Sequence, residues 1–155
     1  MTQCELLAQQ IRRAFEGEAW HGDPLNAILE NVTPEQAAAH PVKGAHSIWE
    51  LLLHIAAWDN AVLRRAEGAT VRVSDAENFP PVTDGSPEAW AKALATTRET
   101  HNKLVAKVAS FSDSRLHERV PGKTDEYHTF YYMFSGIAQH ELYHAGQIAV
   151  LKKFK

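Results

Sequence analysis

Apolar residues recur along most of this chain at intervals of three and four, the spacing of one face of an α-helix. The first such stretch runs from about Gln3 to Glu16, with Leu7, Gln10, Ile11 and Ala14 on one face. Gly17 to Gly44 has no long period. It predicts a short helix around Leu25 to Glu30 and a turn at Thr33-Pro34-Glu35-Gln36, where Thr33 caps and Gln36 answers it as a capping box. A second long helix is predicted over about Ser47 to Glu67, stopped by Gly68. Its first three turns are apolar on nearly all sides, which marks a central helix with several packed neighbours.

A long connection, Gly68 to Gly85, follows and carries Phe79-Pro80-Pro81. Loops of that length in a compact fold are commonly functional. Ser86-Pro87-Glu88 then opens a third long helix with a capping residue, a first-turn proline and an acid at the positive dipole end. Trp90, Leu94, Thr97, His101, Leu104 and Val108 share one of its faces. The fourth runs from about Tyr127 to Lys153, with Phe130, Phe134, Ile137, His144, Ile148 and Leu151 along its inner stripe and Lys152, Lys153 and Lys155 at its negative end. Only Thr70 to Val73 alternates as a strand would, and briefly. The fold class expected is all-α: one domain over residues 1–155, a four-helix bundle with long connections between helices 1 and 2 and between helices 2 and 3.

Composition narrows the function classes. The chain has 155 residues, 45% apolar and 23% charged, with a net charge of −3. That balance gives no basic footprint for nucleic acid and no polybasic membrane patch. The longest apolar region, Ile48 to Leu63, is broken by Glu50, His54, Asp59 and Asn60 and is too polar to span a bilayer. The first residues, MTQCELLAQQIRR, lack signal-peptide organisation, so the cytoplasm is the expected compartment. Cys4 is the single cysteine, which rules out an intramolecular disulfide.

Nine histidines are many for this length. The sharpest motif is His140-Glu141-Leu142-Tyr143-His144. Histidines four apart lie one helical turn apart and about 40° around the axis, so both imidazoles can reach one ion. A third ligand is needed, and His54, in the middle of the most buried helix, is the best candidate; Ala57 and Ala61 leave room beside it. Set against this, a single histidine on an apolar helix is most often a hydrogen-bonded core residue. Neutral imidazole suits several first-row ions. His101, on the inner stripe of the third helix, reads as a core or pocket histidine; His40, His46, His117 and His128 lie in or near loops and read as exposed.

HELYH also satisfies the H-E-x-x-H pattern of zinc proteases, whose glutamate is a general base. Residues 145 to 155, AGQIAVLKKFK, offer no third ligand, and the chain has no sheet on which a peptide could pair. Glu141 nonetheless falls within the apolar stripe on a helical wheel. It is either a buried partner in a polar network or a carboxylate acting at the metal, and in the second case a candidate catalytic residue.

The segments HSIWELLLHIAAWDNAVL and IAQHELYHAGQIAVLKK together resemble the DinB/YfiT family of small metal-binding four-helix bundles, and EAWHGDPL and NFPPV extend the likeness over nearly the whole chain. The resemblance implies a divalent transition metal, zinc or nickel foremost with iron or manganese also compatible, held by His54, His140 and His144. It places Trp20 and His21 near the metal cleft, where Trp58 and Phe79 are further candidates for the substrate pocket. It implies a homodimer, and a metal-activated low-molecular-weight thiol such as bacillithiol or mycothiol joined to an electrophilic small molecule. A metal-dependent hydrolase and a non-catalytic metal-binding stress-response protein are the alternatives. Three imidazoles leave an ion with an open position, as catalytic sites do, and a water or thiol brought there loses its proton more readily.

Overall fold

A computed structural model describes residues 1–154. Seven α-helices are present among them: α1 (Gln3–Phe15), α2 (Leu25–Leu29), α3 (Pro34–Ala38), α4 (Ile48–Ala66), α5 (Asp75–Asn78), α6 (Pro87–Ala109) and α7 (Phe130–Leu151). The four long ones form the bundle. Helix α1 packs on α6 and α7, and α4 packs on the same two, so α1 and α4 occupy diagonal corners. Thr70 to Val73 forms no strand, and no described helix is long and apolar enough to cross a membrane.

Each long helix starts where a side chain can satisfy its orphan N–H groups. Thr2 with Glu5 and Ser47 with Glu50 make complete capping boxes. The Asp113 carboxylate also accepts from Gln3 N and Cys4 N, both at 2.9 Å. Burial and that carboxylate push the Cys4 thiol up to about 12, which leaves it inert. Ser86 caps α6 and Thr129 caps α7. Gly68, at φ +99°, turns the chain back after α4, as its position predicts.

Three local expectations are corrected. Helix α7 begins at Phe130, three residues later than its pattern indicates, because the backbone before it is engaged with the preceding loop. Val120 N donates to His128 O, Phe130 N to Glu118 O and Tyr131 N to Leu116 O. The Gln36 side chain does not complete the Thr33 box. It donates to Lys152 O at 3.0 Å, where it satisfies a carbonyl at the C-terminal end of α7, while Lys152 Nζ reaches Ile28 O and Glu30 O. Lys155 lies outside the described residues. The long connection after α4 also holds a helix, α5, capped by Ser74 and Glu77.

The core is two apolar clusters stacked along the bundle. One gathers Ile11, Leu104, Phe130 and Phe134; the other gathers Leu25, Leu52, Ile55, Trp90 and Ile148. Between them each of three helices contributes a fully buried polar residue: Asp59 from α4, His101 from α6 and Glu141 from α7.

Candidate metal centre

Helices α4 and α7 pack against each other, and this brings His54 to His140 and His144. One nitrogen of each ring lies within 4.8 Å of the others. His54 Nε2 and His140 Nε2 face each other at 2.9 Å. The ring centroids of His144 stand 4.6 Å from His54 and 4.5 Å from His140, both nearly edge-on.

The outward nitrogens fix the tautomers. His54 Nδ1 donates to the carbonyl of Asn78 at 2.6 Å, and His144 Nδ1 donates to Gln147 Oε1 at 2.6 Å. Each of these rings therefore turns an Nε2 lone pair inward, the arrangement typical of metal-binding histidines. Burial, and then the neighbouring imidazoles, lower all three pKa values, His140 to about 3. Neutral rings are what a cation needs. A tetrahedral ion at about 2.05 Å from each nitrogen would set them about 3.3 Å apart, against 2.9 Å between His54 and His140 and no more than 4.8 Å within the group. The residues fit a divalent metal.

The site opens on a cleft of about 500 Å³ lined by Trp58, Val62, Phe79, Met133, Ile137 and Tyr143. Phe79, presented by the turn after α5, stacks on His54 at 4.0 Å and on His46 at 3.8 Å, with interplanar angles of 5°. Trp58 Nε1 donates to Asn78 Oδ1 at 2.8 Å, so Asn78 holds Trp58 by its side chain and His54 by its backbone.

Of the four residues expected at a substrate pocket, Trp58 and Phe79 line this cleft. Trp20 and His21 do not: Trp20 is 103% exposed and His21 is also exposed, because the segment after α1 lies at the surface. Glu141 lies outside the cleft. Its Oε1 accepts from His101 Nδ1 at 3.0 Å, and Asp59 Oδ2 stands 3.6 Å from the same nitrogen. With the side chain turned inward among α4 and α6, no base at the metal can be made of it. His101 belongs to this network and not to the three-imidazole group. Asn78 and the stacking role of His46 were missed, though Ser74-x-x-Glu77 is a capping box that marks α5 in the sequence.

The sequence model of the DinB superfamily matches residues 19–148. This chain belongs to the DinB superfamily. No curated protein and no solved structure matches it. As a DinB superfamily member it pairs the expected helical bundle with a histidine group able to hold an ion.

Two outcomes follow for this DinB chain. Gln147→Leu removes the acceptor that orients His144 and should weaken zinc binding by about 10–100-fold, read by competition with a chromophoric chelator. Metal-free protein should lose stability as pH falls. Unfolded histidine takes up a proton below about 6.5, while the folded rings resist, His140 down to about 3, so acid favours the unfolded chain across that window. Urea midpoints measured from pH 7 to 4 check this. For the same reason bound metal should persist somewhat below the pH 6.5 expected of free imidazole.

Proposed function

We propose that this protein is a divalent-metal-dependent thiol S-transferase acting on electrophilic small molecules. The observation that carries the reading is an apolar cleft with three neutral imidazoles at its floor and no Asp or Glu among its described lining residues. A divalent ion held there would lower the pKa of a thiol brought to it. The chain's own residues then have positioning work to do. Asn78 and Gln147 hold His54 and His144 in the tautomer that faces the ion. Trp58 and Phe79 form apolar walls that suit an electrophile, and they shield the thiolate from water.

Hydrolysis is less well supported, because it calls for a group to take and return protons, and the carboxylate nearest in sequence, Glu141, is turned into the bundle. The test is turnover of 1-chloro-2,4-dinitrobenzene by zinc-loaded protein with cysteine as the thiol. The expected result is absorbance growth that requires protein, zinc and thiol together. Ester hydrolysis at the same rate without any thiol would replace this reading with the hydrolase.

A further inference from the structure

The cleft also holds a cation with no carboxylate beside it among the described residues. Arg65, in the last turn of α4, is 6% exposed and lines the same cleft as the imidazoles. Its Nη2 donates to Val71 O at 2.9 Å, and its Nε has no partner. Among the described residues no carboxylate lies within ion-pair distance of it. A guanidinium does not give up its proton, so burying it without a counter-charge is costly.

Its placement on α4 gives that cost a use. Arg65 follows His54 by eleven residues, which sets it about 20° around the axis from His54 and about 16 Å along it. Helical side chains lean toward the N-terminus, so Arg65 leans toward His54. Trp58 lies between them: its ring centroid is 5.6 Å from Arg65 Cζ and 5.9 Å from the His140 ring. The indole face steadies the guanidinium without neutralising it. Val62, Met133 and Ile137 supply apolar wall beside it, and Tyr132, Tyr143 and Asn78 also line the cleft.

We propose that the cleft selects small molecules with a carboxylate on an apolar body, the carboxylate pairing with Arg65 and the body lying along Trp58 toward the three histidines. One planar guanidinium matches a planar monoanion; a dianionic phosphate would bring a second charge, and the lining holds no other lysine or arginine to answer it. The pairing at Arg65 stands on its own geometry. Only what happens at the far end of the ligand rests on the transferase reading.

The probe is 4-phenylbutyrate, compared with its neutral amide, 4-phenylbutanamide, by calorimetric titration of zinc-free and zinc-loaded protein. The acid should bind about tenfold or more tightly than the amide in both forms, the size of one charge-assisted hydrogen bond. Arg65→Gln should erase the preference with zinc content unchanged, and Arg65→Lys should keep part of it. Equal binding of acid and amide by zinc-free wild type overturns the proposal, and this comparison needs no variant to fold. Acid binding that survives Arg65→Gln but requires zinc places the carboxylate on the metal; that outcome also overturns it while leaving the metal reading intact. A preference that depends on Arg65 in zinc-free protein upholds it even if the metal reading fails.

Discussion

His140→Ala is expected to strip the protein of its metal. Wild type purified without an affinity tag should carry about one equivalent of a divalent ion, and the variant only traces, read by elemental analysis. Loss of an outer partner alone costs up to about 100-fold in affinity, and loss of a ligand should exceed that. Position 140 is the cleanest of the three to remove. Its Nδ1 has no hydrogen-bond partner, and its Nε2 meets only His54 Nε2, so no hydrogen bond outside the three imidazoles is lost. His54→Ala would also strand the Asn78 carbonyl and the face of Phe79. A full equivalent of metal retained by His140→Ala, with the helical circular dichroism of wild type, would remove these histidines as the metal's holders.

How much of this was readable beforehand depends on whether an interaction runs along a helix or across to another. The bundle was legible because its helices announce themselves locally: Ser47 and Ser86 as caps, Gly68 as a stop, and apolar stripes at the right period. The His140 and His144 pair is a property of one helix, so spacing alone placed both rings on one side. His54 was legible as a buried histidine, but its approach to the pair depends on how α4 and α7 pack, which no single segment encodes.

What the sequence hid has the same cause. Glu141 could be placed in the buried stripe, yet its partners His101 and Asp59 come from two other helices. Arg65 in a last helical turn reads as a solvated cation at the dipole's negative end; its burial follows from Gly68 folding the chain back so that Val71 O meets it. Asn78 reaches His54 through a backbone carbonyl, a group that every residue possesses and that carries no signature. Trp20 erred in the other direction. A motif-sized likeness assigned it to the cleft, but an aromatic in a surface segment between helices has no stripe to bury it.

The second large effect belongs to the polar layer. Glu141→Ala is expected to destabilise the fold by about 3 kcal/mol, since it empties a fully buried side-chain volume and takes from His101 Nδ1 its 3.0 Å acceptor, leaving only Asp59 at 3.6 Å. For a chain of this size that lowers Tm by roughly 10 °C, measured by calorimetry on metal-free protein. Burial and Asp59 raise the Glu141 carboxyl well above its usual value. His101, which burial alone would hold low, is carried up to about 9 by its bonds to Asp59 and Glu141. A raised histidine holds its proton in the folded state after the unfolded chain has lost it. Its contribution is whole below about 6.5 and disappears as pH rises through about 9. The three imidazoles of the cleft act oppositely, losing their contribution below about 6.5, so metal-free wild type should be most stable near that pH and weaken on both sides. In Glu141→Ala the alkaline slope should flatten and the acid slope remain. A variant as stable as wild type, with the alkaline slope intact, would mean that the Glu141–His101 pair contributes nothing to the fold. The layer also bears on the cleft, because locking residue 141 between α4 and α6 fixes the rotation of α7 and hence the direction in which His140, one residue before it, presents its nitrogen.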